Sequence, residues 1–267
     1  MARALPRKLT VIGKKFISTN MLRITLAGDD LSSLAADQEG GYIKLHFARA
    51  DILDGDIEQQ ILCEDASSRP LLRTYTIRNQ QINPAQIDVD FVIHETGPAS
   101  TWAGNCSIGS SIYVAGPGKK KIVDLSADWF FIVGDMTALP AISVNLEQLP
   151  SSAKGYAVIE VLSEKDIQHF DLPKAIELHW VIKYPQLNTD SDQHNISLLS
   201  KVKQCPALVG TPSVWIACEF TNMRDLRQHF NQGLNVDKRN MYASSYWKAG
   251  LSEDEHKQVK MADSITA

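Results

Sequence analysis

Trp129-Phe130-Phe131-Ile132-Val133-Gly134-Asp135-Met136-Thr137-Ala138-Leu139-Pro140-Ala141-Ile142 is the stretch at which the chain changes its pattern. The five apolar residues 129–133 have the length and unbroken hydrophobicity of a strand buried on both faces. Gly134 ends the run, and residues 137–148 repeat at helical period, with Asp135 or Thr137 placed to cap the first turn. A buried strand feeding straight into a helix opens an α/β unit, and ligands of open α/β sheets collect outside the carboxyl ends of the strands. Downstream the alternation continues, with strands predicted at 155–162, 176–184 and 213–218 and helices at 196–203 and 222–232. Ser252-Glu253-Asp254-Glu255 forms a capping box, so a closing helix runs to about Met261. This half reads as α/β with a mainly parallel sheet.

Upstream of Trp129 the reading differs. Short strands are predicted at 9–18, 21–27, 42–47, 73–78, 87–94 and 111–115, separated by clusters of Gly, Pro, Asn and Asp. Only residues 32–37 and 100–106 carry a trace of helical period. That spacing predicts an antiparallel barrel or sandwich. The change falls at 121–128, after the turn Gly116-Pro117-Gly118, and divides the chain into domains 1–123 and 124–267.

Composition removes several classes of function. A chain of 267 residues holds two ordinary domains, and 44% hydrophobic with 22% charged residues is the balance of a globular protein. A net charge of −4 provides no basic field for nucleic acid, so any anion site is local. No apolar run approaches the roughly 18 residues that cross a bilayer, and the opening MARALPRKLTVIGKKF has no continuous apolar core of a signal peptide. A cytoplasmic chain without membrane insertion is expected, in which the acceptor-like triplets Asn105-Cys106-Ser107 and Asn195-Ile196-Ser197 carry no meaning. Cys63, Cys106, Cys205 and Cys218 lie far apart without a C-x-x-C, which excludes familiar zinc and iron–sulfur spacings and leaves buried thiols and no metal centre. There is no G-x-G-x-x-G after a strand, no complete P-loop around Gly118-Lys119, no H-E-x-x-H and no G-x-S-x-G, so hydrolase and NTPase readings lose their support. No internal repeat or low-complexity tract is present.

Two further segments carry chemistry. In Arg73-Thr74-Tyr75-Thr76-Ile77-Arg78 a strand would put Arg73, Tyr75 and Ile77 on one face and Thr74, Thr76 and Arg78 on the other. Tyr supplies a π-face and Arg a bidentate anion contact, a platform for a stacked ring with a phosphate tail. In His94-Glu95-Thr96-Gly97-Pro98-Ala99-Ser100-Thr101-Trp102-Ala103, Gly97 permits close backbone approach and Pro98 starts a helix, leaving first-turn amides free for an anion such as a pyrophosphate.

Taken together and in order, these segments and the late Tyr246-Trp247-Lys248-Ala249-Gly250 resemble the siderophore-interacting protein family of flavin-dependent ferric reductases, within the ferredoxin–NADP reductase superfamily, whose pattern is R-x-Y-[ST]-x-R, H-x-x-G-P-A-x-x-W-A, D-E-[ST]-A-x-P-A and Y-W-[RK]-x-G. The resemblance runs from Tyr42-Ile43-Lys44-Leu45 to Gly250. It implies an N-terminal antiparallel flavin-binding β-barrel, a C-terminal α/β NAD(P)H-binding-like domain and noncovalent FAD. By the same resemblance, Arg73, Tyr75 and Thr76 would contact the isoalloxazine and phosphate, Val92 and His94 would line the flavin ring, and Ala99, Ser100, Thr101, Trp102 and Ala103 would wrap the pyrophosphate. Asp135, Thr137 and Ala138 would receive the adenine side or the nicotinamide cofactor. Met136 stands where the family has glutamate, and since a lost carboxylate alters ribose or phosphate contacts, the nicotinamide preference stays open.

A tris-catecholate ferric complex carries about three negative charges, so its receptor should be cationic. Lys44, the run Lys119-Lys120-Lys121 and Lys248 stand where the family carries basic residues beside the flavin. The expected function is FAD-dependent reduction of a ferric hydroxamate or catecholate siderophore, with iron released as Fe(II), by a monomer drawing electrons from NADH, NADPH or a ferredoxin. No residue need act as acid, base or nucleophile. A flavoprotein reductase of the same superfamily with another acceptor and a siderophore carrier without turnover are the alternatives.

Overall fold

The structure is a computed structural model and describes residues 5–95, 97–183 and 196–266. The first four residues of the opening stretch, Thr96, Tyr184 and Asn195 lie outside the described residues. The chain divides into two compact units, Met1–Lys120 and Lys121–Ala267.

Seven strands build the first unit: β1 (Arg7–Ser18), β2 (Met21–Ala27), β3 (Tyr42–Phe47), β4 (Leu71–Thr76), β5 (Asn79–Gln81), β6 (Gln86–Val92) and β7 (Ser111–Ala115). They pair antiparallel in the order β4-β3-β7-β1-β2-β6-β5. Alternate residues of every long strand point inward, among them Leu9, Val11, Leu22, Ile24, Ile43, Leu45, Val89, Phe91, Ile112 and Val114, and all of these join one core. β1 serves two neighbours, pairing with β7 over its first residues and with β2 over the rest, and register shifts at Val11/Gly13 and Phe16/Ser18 bend it between them. The result is the expected barrel-like antiparallel domain.

Two short helices accompany the sheet. α1 (Ile57–Leu62) was not legible in the sequence; Asp56 caps it by accepting from the N–H groups of Glu58 and Gln59, and its buried Gln60 binds the backbone N–H and C=O of Arg49. α2 (Pro98–Asn105) follows β6 and has Pro98 in its first turn. The predicted helical trace at 32–37 is instead a 3₁₀ turn at Asp29–Ser33.

The second unit carries five parallel strands, β8 (Trp129–Asp135), β9 (Lys154–Val161), β10 (Ala175–Ile182), β11 (Pro212–Glu219) and β12 (Met241–Trp247), in the order β10-β9-β8-β11-β12. Every residue of β8 is buried, as an unbroken apolar run in a central parallel strand requires. The chain proceeds from β8 to one side and returns to the other, so the topological switch lies between β8 and β11. The helices are α3 (Leu139–Glu147), α4 (Leu198–Lys203), α5 (Phe220–Gln228) and α6 (Glu253–Thr266). α5 begins earlier than predicted because Glu219 caps it, and ends in a wide turn at His229–Gly233. The Ser252–Glu255 capping box forms as read: Ser252 Oγ accepts from the Glu255 N–H at 3.4 Å, and Glu255 Oε2 accepts from the Ser252 N–H at 2.8 Å.

β12 was missed. Its interior holds Ser244 and Ser245, both buried, and polar residues there hide the strand from a hydrophobicity reading. Of the four thiols, Cys106, Cys205 and Cys218 are buried as expected, whereas Cys63 is only half-buried, and none forms a disulfide.

Candidate functional site

In the first unit, β4 presents the predicted platform. Tyr75 pairs with Ile43 and Arg73 with Leu45, both inward positions of β3, so Arg73 and Tyr75 share the inner face. The Tyr75 ring lies 4.4 Å from the Phe91 ring, centre to centre, and is braced by it while staying half-exposed. Arg73 Nη1 donates to the Leu72 carbonyl at 2.7 Å, which orients the guanidinium. Thr76 is buried; the strand ends there, and Ile77 enters the core.

Val92 closes β6, and the chain then turns through His94 into α2. The turn is locked by one hydroxyl: Ser100 Oγ donates to the His94 carbonyl at 2.6 Å and accepts from the His94 N–H at 2.9 Å. Gly97 has φ of 108°, and a Cβ there would stand 3.2 Å from the His94 ring. Glycine therefore lets the imidazole lie against the turn. The His94 residue is exposed at its edge, yet burial of its ring pushes the imidazole pKa below the usual value and favours the neutral form. Among the described residues, no side chain caps the first turn of α2.

The helix is fixed by its other face. Ala103 is fully buried, Ala99 nearly so, and the Trp102 ring packs edge-on against Phe47 at 6.0 Å and tilted on Phe91 at 5.8 Å. The side chains of Ala99, Trp102 and Ala103 dock α2 on the barrel, while Thr101 is exposed. Sequence reasoning missed Phe91 and Phe47, the two rings that carry Tyr75 and Trp102; they read only as inward strand positions.

In the second unit, the carboxyl ends of β8, β11 and β12 meet at Asp135. Its Oδ1 accepts from the Thr137 N–H at 2.9 Å and from Thr137 Oγ1 at 2.5 Å; its Oδ2 accepts from the Glu219 N–H and from Trp247 Nε1, each at 2.8 Å. Full burial pushes the Asp135 pKa up, and these four donors oppose the shift. The carboxylate is thus engaged with protein on both oxygens and ties the end of the sheet. Ala138 is buried and Thr137 is exposed. Met136 is buried, 3% exposed, so at this position the chain carries a core thioether. Beyond β9, Glu160 faces Lys183 at 3.8 Å, and the Lys183 ammonium lies 5.1 Å from the Trp247 ring centre.

Comparison with known proteins gives the same division. Residues 10–121 match the siderophore-interacting FAD-binding domain and residues 127–250 match the siderophore-interacting protein domain. Ferric vibriobactin reductase ViuB of Vibrio cholerae is 32% identical over 263 residues, covering 97% of this chain and 95% of that protein. The chain belongs to the siderophore-interacting protein family. The NADPH-dependent ferric-chelate reductase of Escherichia coli is 25% identical, covering 91% of this chain and 93% of that protein. Among solved structures, the siderophore-interacting protein SipS from Aeromonas hydrophila superposes with a TM-score of 0.82 at 28% identity, over 98% of this chain and 99% of that one.

The lysines that the family resemblance singled out differ in their surroundings in this siderophore-interacting protein. Lys44 is half-buried on the outer face of β3, opposite Thr74 of β4 and Ala115 of β7. Lys119 is exposed, whereas Lys120 Nζ is 2.5 Å from Asp37 Oδ1. Lys121 is exposed, and its carbonyl accepts from Trp215 Nε1 at 2.7 Å. The Lys248 ammonium stands 4.5 Å from the Phe220 ring centre. Lys44, Lys119 and Lys120 belong to the first unit, Lys121 and Lys248 to the second.

Proposed function

We propose that this chain is a cytoplasmic ferric-siderophore reductase that holds FAD noncovalently in its first unit and takes reducing equivalents from NADH, NADPH or a ferredoxin. The observation that carries the reading is the uncapped first turn of α2, set beside the Arg73–Tyr75 face of β4 by the shared packing of Tyr75 and Trp102 on Phe91. An anion is favoured at such a turn because the N-terminal amides and the helix dipole point toward it.

The residues fit the cofactor. Arg73 and the backbone of the α2 turn would hold its phosphates, Thr101 offering a hydroxyl beside them. Tyr75, followed on β4 by Thr76, supplies an aromatic face braced on Phe91 of β6, the strand that ends at Val92 and leads to His94. Neutral His94 brings no second positive charge against the ring. When bound, FAD supplies electron transfer to Fe(III) one electron at a time, and Fe(II) is held far less tightly by hard oxygen ligands, so reduction is also release. The chain itself moves no proton and forms no covalent bond; it binds, orients and neutralises charge. Lys44, Lys119, Lys121 and Lys248 provide cations for an anionic iron complex.

Two named relatives point the same way: one is a ferric vibriobactin reductase and another an NADPH-dependent ferric-chelate reductase. The test is direct. The purified chain should carry flavin with absorbance at about 450 nm, should bleach with a pyridine nucleotide or reduced ferredoxin, and should regain colour on adding a ferric siderophore while a ferrous chelator traps Fe(II). A colourless chain that binds ferric siderophore would be a carrier; a yellow one that bleaches but gives no Fe(II) would be a reductase for another acceptor.

A further inference from the structure

In the first unit lies a groove of about 630 Å³, lined among others by Arg7, Arg69, His46, Leu72, Ile61 and Asp30. Its volume is that of a pocket for a small organic ligand. The strand register sets its β3–β4 wall on the face opposite the flavin platform. In the β3–β4 ladder Tyr75 and Arg73 pair with inward residues, whereas His46 pairs with Leu72 on the opposite face. Lys44 is two residues along β3 from His46 on that same outer face, about 7 Å away along the strand.

Two guanidiniums line the groove, and both are held by carbonyls rather than by carboxylates. Arg7 donates to the carbonyls of Asp30 at 3.2 Å and Gly116 at 2.6 Å. Arg69 donates to the carbonyls of Cys63 at 3.3 Å and Glu64 at 2.7 Å. Among the described residues, neither forms an ion pair, and Arg7 Nη2 and Arg69 Nη1 have no hydrogen-bond acceptor. A guanidinium has five N–H donors, so each keeps donors for a ligand while its orientation is already set. Against these two positive charges the groove has one carboxylate, that of Asp30. Its lining also includes the apolar side chains of Ile61, which is buried, and Leu72.

We propose that this groove binds a small aromatic anion, an aryl carboxylate or phenolate group, and that it extends the Lys44 contact to receive one such arm of the siderophore. The second half of the statement rests on the function proposed above; the first half does not. Flat apolar walls accept a ring, and two fixed guanidiniums accept its oxygens as paired hydrogen bonds.

Calorimetric titration of the purified full chain with salicylate at low salt tests the groove, with salicylamide as the neutral analogue. Salicylate should bind, salicylamide should bind at least roughly fivefold more weakly, and Arg69→Gln should weaken salicylate by a similar factor. Leu72→Trp fills the groove while keeping both arginines and should abolish binding, and it decides the matter if Arg69→Gln fails to fold. No salicylate binding, or binding unchanged in Leu72→Trp, overturns the proposal. Leu72→Trp should also raise KM for a ferric catecholate; an unchanged KM together with lost salicylate binding would keep the aromatic-anion site and remove its link to the siderophore. If the chain reduces no ferric complex at all, the proposed function falls while the salicylate result still stands by itself.

Discussion

Arg73 and Trp102 sit in neighbouring motifs, yet the structure gives them different kinds of work, and single substitutions should separate the two. Arg73 is half-buried and, among the described residues, makes one hydrogen bond, to a carbonyl of its own strand. Arg73→Ala should leave the barrel folded and weaken FAD retention by roughly 1.5–3 kcal/mol, the range for a charge-assisted hydrogen bond. Flavin content after gel filtration, and the dissociation constant of re-added FAD, measure it; full occupancy with unchanged affinity would remove the phosphate role. Trp102 is half-buried and packs on Phe47 and Phe91 at the margin of the core. Trp102→Ala should cost about 3–5 kcal/mol of stability in urea unfolding, since a large aromatic leaves a cavity, and flavin loss would follow from the loosened helix. The sequence named both residues but could not tell these roles apart. A motif records which residue types recur; whether a tryptophan faces a ligand or a phenylalanine depends on contacts from strands far away in the chain.

At the level of elements, the short strands of the barrel and the buried run of β8 were legible because each carries one clear period, two for the former and unbroken hydrophobicity for the latter. α1 and β12 were not. α1 is only six residues long and is fixed by an Asp56 cap and by Gln60 hydrogen bonds, neither of which leaves an apolar stripe. β12 carries buried serines because α6 covers it with polar groups: Ser245 Oγ lies 2.8 Å from His256 Nε2, and Lys260 Nζ donates to Ser244 Oγ at 2.7 Å and to the Ser245 carbonyl at 2.8 Å. The same contact yields a pH dependence. Burial and the neighbouring Lys260 and Lys248 push the His256 pKa below its ordinary 6.5, while Glu219 opposes them. The unfolded chain thus takes up a proton near pH 6.5 that the folded chain still refuses, so stability is full above that value and falls as the pH drops below it, down to the folded pKa. His256→Gln can keep a hydrogen bond to Ser245 but cannot titrate. Its melting temperature should fall less than the parent's between about pH 7.5 and about pH 5. His94, His179 and His229 are also held below their ordinary values by burial, so the slope should lessen rather than vanish. An identical slope in the variant would show that His256 does not couple α6 to pH.

The whole molecule carries a net charge of −4, so attraction of an anionic iron complex cannot come from its overall field and must come from particular cations. Their surroundings rank them. Lys120 already faces Asp37, so its replacement should change little. Lys44 and Lys248 have no carboxylate partner among the described residues, and Lys248 is held beside the Phe220 ring. Lys44→Gln and Lys248→Gln should therefore each raise KM for an anionic ferric catecholate by about 0.5–1.5 kcal/mol, with flavin content and the rate of flavin reduction by the donor unchanged. A neutral ferric hydroxamate should lose less, because it gains nothing from the charge. Raising the salt shortens the reach of each lysine, so the gap between parent and variant for the catecholate should narrow as ionic strength rises, while the hydroxamate values stay nearly constant. KM for both complexes at low and high salt measures this. Equal losses for the two complexes, or none for either, would make these lysines ordinary surface charges and place the iron complex elsewhere.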